Sequence, residues 1–155
     1  MLGQVLSKSG LEDEIDQVLE SIGSDSRVGN KYLKFGFGFG GPCFPRDNRA
    51  FAKYAEKVGL EHNFGYTTDN FNNEHAKFIK EYFIDSNLDK LPYLFESVAY
   101  KEGTDILTES QQYRLCLDLL DEGYEVYVKD DRIRGRCDGR IKFEEPNEAV
   151  FMVVL

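Results

Sequence analysis

The chain has 155 residues, 41% hydrophobic and 30% charged, with 14 Gly and 4 Pro, which is the composition of one or two small folded domains and excludes a disordered or fibrous chain. Nineteen Lys and Arg against 28 Asp and Glu leave a formal net charge of −9, which repels phosphate backbones and anionic bilayers, so neither a nucleic-acid nor a membrane partner is expected. The longest apolar run, residues 149–155, is far short of the ~20 residues that span a bilayer, and the first residues lack the pattern of a signal peptide, so a cytoplasmic chain is expected. Three Cys without a CxxC pair, and only two His, indicate neither a disulfide framework nor a metal site.

In chain order, Leu11, Ile15, Val18, Leu19 and Ile22 form an apolar stripe that predicts a helix over 11–22, with Ser9 and Glu12 as its capping box. Periodicity stops from Gly23 to Asp47, where glycine and phenylalanine alternate and a loop is expected. Phe51, Tyr54, Ala55 and Val58 restore helical spacing up to a stop at Gly59. Phe71, His75, Phe78, Ile79, Tyr82 and Phe83 then predict a longer helix over about 66–86.

The character changes near Pro92. Residues 93–100 read as a strand, Thr108 and Gln111 as the capping box of a helix carrying Tyr113, Cys116, Leu117 and Leu120, and residues 124–128 as a second strand after Gly123. Strand, helix and strand within about 35 residues make a βαβ unit and hence a parallel sheet. Residues 150–155 read as a third, buried strand, after which the sheet is left short of cover. The fold class expected is α/β: a helical region over 1–90, then a truncated Rossmann-like parallel domain over 91–155. The unfinished sheet edge and the aromatic helix face both favour self-association.

The stretch most able to carry chemistry is residues 35–47, where Gly36, Gly38, Gly40 and Gly41 would let backbone N–H groups approach an anionic ligand, or else form a turn that holds phenylalanines in a core. It fails the dinucleotide fingerprint, because no strand precedes it and no helix opens at the required spacing. Cys43 stands just before a helix, where backbone dipoles favour a thiolate nucleophile; a small buried hydrophobe is the other reading. Asp47 fits a general base acting on water, or a cap for the helix starting there. Cys116 falls on an apolar helix face, Cys137 lies in a polar run, and His75 sits among aromatic residues, all positions of structure rather than catalysis.

Residues 26–34, Ser-Arg-Val-Gly-Asn-Lys-Tyr-Leu-Lys, followed by residues 37–47, Phe-Gly-Phe-Gly-Gly-Pro-Cys-Phe-Pro-Arg-Asp, closely resemble the signature of the nucleotide-sugar dehydrogenases, in particular the branch that oxidises UDP-glucose at C6. The resemblance continues through residues 99–105 and 124–126, which look like the first strand loop and second strand of that family's UDP-binding domain. It implies an NAD-dependent, two-step oxidation of a UDP-sugar to the uronic acid, in which Cys43 adds to the C6 aldehyde and a thioester is later hydrolysed with help from Asp47. It further implies that Arg27, Tyr32, Leu33, Phe39, Gly40 and Lys101 contact substrate, that Arg46, where the family usually has lysine, lies toward the cofactor, and that the helix over 66–86 joins two domains and makes a homodimer.

The sequence also departs from the pattern. The family's NAD-binding Rossmann domain, with its lysine and asparagine, is missing from the 155 residues, which implies a fragment that does not turn over alone; a dimerising or sugar-nucleotide-binding module is the other reading. Ser97 stands where the family has glycine, and Glu96 beside it puts negative charge near the expected UDP phosphate.

Overall fold

The computed structural model describes residues 1–154, which divide into two compact units, Met1–Gly36 and Phe37–Val154. The first unit contains α1 (Leu2–Lys8), a 3-10 turn (Glu12–Glu14) and α2 (Ile15–Gly23). The sequence places one helix over 11–22, but the chain breaks first at Gly10, whose φ of +71° is left-handed and ends α1. Ser9 is therefore no N-cap: its hydroxyl donates back to Val5 O (2.8 Å), and Glu12 accepts from Ser7 Oγ (3.2 Å) instead. Ile15 and Leu19, one turn apart, are the buried ridge of α2, whereas Leu11 and Ile22 are exposed.

The second unit holds α3 (Phe44–Lys57), α4 (Phe64–Ser86), β1 (Tyr93–Phe95), α5 (Gln111–Asp121), β2 (Val126–Val128) and β3 (Phe151–Met152). α3 begins at Phe44, seven residues before its first expected apolar position, because Pro45 in the first turn needs no N–H partner and sets a helical φ. Its buried face is Pro45, Ala52 and Ala55; Phe51, Tyr54 and Val58, which define the expected stripe, are each more than half exposed. Small residues face α4 so that the helix axes can approach. A Cβ built on Gly65 would lie 2.8 Å from Ala52 Cβ, and Asn48 Nδ2 donates to Gly65 O (2.8 Å). Asn63 caps α4 by accepting from the N–H groups of Gly65 and Tyr66, and its amide donates to Ala52 O (2.7 Å).

Beyond Gly65, the buried positions on α4 are Asn72, His75, Ile79 and Phe83, spaced i, i+3, i+7 and i+11. Beside them Phe71, His75, Phe78 and Tyr82 form a ladder of near-parallel rings 6.1–6.4 Å apart. The end of α4 meets the sheet through Phe83 and Tyr93, both nearly inaccessible. Phe151 packs edge-on against both rings, and Tyr93 Oη donates to Phe83 O (2.9 Å).

The sheet order is β2-β1-β3 with both pairings parallel, Tyr93 opposite Val126 and opposite Phe151, as the strand–helix–strand reading requires. The strands are shorter than expected: β1 closes at Phe95, and the following residues form turns. β3 is an edge strand of two described residues rather than a buried central one, with Phe151 half-buried and Met152 38% exposed. Leu155, part of the expected strand, lies outside the described residues. The composition change near Pro92 falls inside the second unit, where α3 and α4 share one compact body with the sheet. α5 opens on Ser110, not Thr108: Ser110 Oγ accepts from Tyr113 N–H (3.2 Å) and donates to Val98 O (2.7 Å), and Gly123 closes the helix at φ +90°.

Candidate functional site

The site grows from the residues around the start of α3. Cys43 is the N-cap residue and is exposed, and its carbonyl accepts the first helical hydrogen bond, from Asp47 N–H at 2.8 Å. The thiol and the Asp47 carboxylate thus stand one turn apart at the positive end of a 14-residue helix. Asp47 is not a cap: no side chain bonds the free N–H groups there, and its carboxylate instead takes Arg46 Nε at 2.8 Å, both side chains more than 60% exposed. The hydrogen bond to that carboxylate and its charge hold the Arg46 guanidinium above its ordinary pKa.

The loop leading into Cys43 is seated from beneath. Phe39 O accepts from Asn72 Nδ2 (2.9 Å) and, at 3.5 Å, from Gln111 Nε2, and the Phe39 and Phe44 rings lie 6.3 Å apart. The glycines serve close packing within the chain. A Cβ on Gly38 would lie 2.0 Å from Asn72 Oδ1, one on Gly40 2.3 Å from Glu109 O, and one on Gly41 2.5 Å from the Tyr100 ring, with Gly41 also at φ +82°. The side-chain space of these three positions is thus filled by protein atoms, but Phe35, Phe37 and Phe39 stay half-buried, so the loop packs closely without placing its phenylalanines in a core. Tyr100 and Gly41 bring the loop after β1 against the cysteine loop, and Lys101 follows at once, exposed, with its carbonyl accepting from Thr104 N–H and Oγ1.

The structure thus gathers Phe39, Gly40, Cys43, Arg46, Asp47 and, through Tyr100, Lys101 in the second unit. Arg27, Tyr32 and Leu33 belong to the first. There Arg27 is folded onto Asp25 (2.6 Å), which holds that carboxyl below its ordinary range; Tyr32 is 96% exposed; and Leu33 lines an open groove of about 630 Å³ together with Lys31, Lys34, Asp16 and Glu20. Asn72, Gln111 and Glu109, which hold the loop, have no site role in the sequence reading, where Gln111 enters only as part of a capping box. Asn72 had a legible signal: it is a polar residue on the buried stripe of α4, and such residues are kept where their hydrogen bonds are satisfied.

At the carboxyl ends of β1 and β2 the Glu96 charge is met by Lys129 (2.7 Å), and Ser97 Oγ donates to Asp130 Oδ2 (2.7 Å). Asp130, 7% exposed, is also gripped by Arg132, which with Ser97 holds its carboxyl below the usual carboxylate range despite burial. This strand end does not fit the ribose of NAD: Asp130, the acid that would take a ribose hydroxyl, is already bonded on both oxygens. Cys116 is inaccessible, and burial pushes its thiol up to about 12; burial also raises the half-buried Cys137 thiol. Among the described residues no group of His, Cys, Asp and Glu could hold a metal ion, and no helix is long and apolar enough to cross a membrane.

A parallel Rossmann-like α/β fragment joined to helices that present a thiol and a carboxylate at one helix end is the class defined by fold and site. Residues 2–74 match the central domain of the UDP-glucose/GDP-mannose dehydrogenase family. The UDP-glucose 6-dehydrogenase AglM of Haloferax volcanii is 35% identical over 118 residues, covering 74% of this chain and 27% of its own length. That of Pseudomonas aeruginosa is 30% identical over 128 residues, covering 76% and 26%. Among solved structures, a UDP-glucose dehydrogenase from the hyperthermophilic archaeon Pyrobaculum islandicum superposes with a TM-score of 0.67 at 28% identity, over 84% of this chain and 32% of that one. A GDP-mannose dehydrogenase from Pseudomonas aeruginosa, in a ternary complex, gives 0.60 at 26% identity, over 84% and 30%. The chain is thus similar to members of the UDP-glucose/GDP-mannose dehydrogenase family, and it spans about a quarter to a third of the length of these relatives.

Proposed function

We propose that this chain is the part of a UDP-sugar dehydrogenase that holds the sugar nucleotide and supplies the thiol, and that by itself it binds without oxidising. The observation that carries the reading is the exposed Cys43 at the N-terminus of α3, one turn from Asp47, above a loop whose glycines are locked in place. In this reading the Cys43 thiol adds across a C6 aldehyde: the C–S bond forms, the carbonyl π bond breaks, and the proton goes to the oxygen to give a thiohemiacetal. At the thioester stage, water attacks the acyl carbon, Asp47 takes its proton, and the C–S bond breaks to free the thiol. The oxidation that makes the aldehyde and the one that turns the thiohemiacetal into the thioester belong to NAD in the family, whose site these residues do not provide. Phe39 and Gly40 line the sugar and Lys101 lies near the nucleotide; of the first unit, Tyr32 and Leu33 serve the nucleotide diphosphate, and Arg27 serves the substrate held by a partner subunit. Arg46 steadies Asp47 and lies toward the cofactor.

The half-exposed ring ladder of α4, Phe71, Phe78 and Tyr82, is the surface through which two copies pair in this reading, and sedimentation of a Phe78→Glu variant as a monomer beside a dimeric wild type tests it. The thiol assignment is tested by alkylation of Cys43 with iodoacetamide in the presence of UDP-glucose. Saturable slowing by UDP-glucose, absent with UDP-N-acetylglucosamine, is expected; a Cys43 rate indifferent to UDP-glucose overturns the reading.

A further inference from the structure

Glu109 is one of two non-glycine residues among those described with a left-handed backbone, at φ +54°, a conformation that persists when surrounding contacts impose it. Its carbonyl oxygen fills the space where a side chain at Gly40 would lie, so this unfavourable turn is what walls the cysteine loop three residues before the thiol. Its carboxylate is held by Arg49 of α3, with Nη1 to Oε1 at 2.8 Å. The same guanidinium directs Nε to Asp69 of α4, at 3.0 and 3.2 Å to the two oxygens. One planar fork therefore ties three segments: the helix that begins at Cys43, the helix that carries Asn72, and the turn that backs Gly40. Lysine could not do the same, because a single ammonium lacks the two divergent edges of the guanidinium. The pull of both carboxylates holds Arg49 well above its ordinary pKa.

We propose that Arg49 and Glu109 are positioning residues that clamp the Phe37–Cys43 loop, with Arg49 imposing the left-handed turn at Glu109 and the Glu109 carbonyl fixing Gly40 beneath the thiol. The inference rests on the functional reading only for the choice of this loop as the site. The clamp itself is decided without ligand.

The test is limited chymotrypsin digestion of the full chain, with cleavage mapped by mass spectrometry in wild type, Arg49→Lys and Glu109→Gln. Tyr32, 96% exposed, is the internal reference, and Tyr54 and Phe71 report loosening of α3 and α4. The clamp predicts that cleavage after Phe37 and Phe39 rises about two- to fivefold relative to Tyr32 in both variants, the range set by losing an exposed charge pair. Cleavage at Tyr54 and Phe71 and the thermal midpoint should stay unchanged. An unchanged ratio in either variant, or a rise matched at Tyr54 and Phe71, overturns the clamp. In a parallel titration with UDP-glucose both variants should bind more weakly by a similar factor, and undiminished affinity contradicts the positioning role. If wild type itself does not bind, the functional reading falls while the digestion still decides the clamp.

Discussion

The two demands on the glycines before Cys43, a left-handed backbone and empty space, can be separated by alanine at Gly40 and Gly41 with Gly123 as a reference position. Gly123 has φ +90° with nothing within 4 Å of a built Cβ, so Gly123→Ala incurs only the left-handed cost, roughly 1 kcal/mol. Gly40 has no such φ, but a Cβ there would sit 2.3 Å from the backbone oxygen of Glu109, which cannot swing away like a side chain. Overpacking of this kind costs about 1–3 kcal/mol. Gly41 carries both defects, φ +82° and a Cβ 2.5 Å from the Tyr100 ring, so Gly41→Ala should cost about 2–4 kcal/mol, the sum of the two. Equilibrium urea unfolding followed by far-UV circular dichroism measures all three, with 1 kcal/mol moving the midpoint by about 0.5–1 M at an ordinary slope. Tyr100→Ala should recover the steric part of the Gly41→Ala loss but none of the Gly123→Ala loss. Equal losses at Gly41 and Gly123, or no coupling to Tyr100, would refute the claim that the Tyr100 ring is what excludes a side chain from the loop.

Other outcomes follow from the same geometry. On brief iodoacetamide treatment at pH 8, peptide mapping should show Cys43 alkylated first, Cys137 more slowly, and Cys116, buried with a thiol near 12, only after unfolding; early labelling of Cys116 contradicts its place in the core. Ser110→Ala should cost about 1–2 kcal/mol in urea unfolding, because it removes both the α5 cap and a buried bond to Val98 O, whereas Thr108→Ala should cost close to nothing. Asp130 has a depressed folded-state pKa, so its contribution is present above about pH 4, the unfolded-state value, and is lost as pH falls through the lower folded value. Asp130→Asn should therefore flatten the acid limb of the stability curve, and an unaltered limb contradicts the Arg132 and Ser97 pairing.

Much of this architecture was legible in the residues. The helix expected over about 66–86, the strand–helix–strand unit and the loop from Ser24 to Cys43 follow from periodicity and glycine placement, although α3 opens at Phe44, inside the loop expected to run to Asp47. The N-terminal region was legible only in part: α1 precedes the stripe of Leu11 to Ile22 and ends before Gly10, and the first residues of the stripe form a 3-10 turn before α2 begins at Ile15. α3 misled in the opposite way: its large apolar residues point outward, and packing against α4 is carried by Ala52 and Gly65, which periodicity does not weigh. In the site, Cys43 and Asp47 lie in one contiguous segment and were visible. Asn72 showed only as a polar residue on a helix stripe, and its role in the site, like those of Gln111 and Glu109, was not visible, because they reach the loop from 33 to 72 residues away and only the tertiary fold brings them to Phe39 and Gly40. Glu96 and Ser97, unfavourable for a phosphate in the sequence, acquire partners in Lys129 and Asp130 that likewise lie far along the chain.

The central claim is that this chain carries a sugar-nucleotide site with a thiol in it, and calorimetric titration of the purified protein with UDP-glucose, with UDP-N-acetylglucosamine as control, tests it most directly. Saturable binding of UDP-glucose that the control does not reproduce, with no NADH formed when NAD is added, is the predicted result. Absence of heat at millimolar UDP-glucose, or equal binding of both sugars, would contradict it.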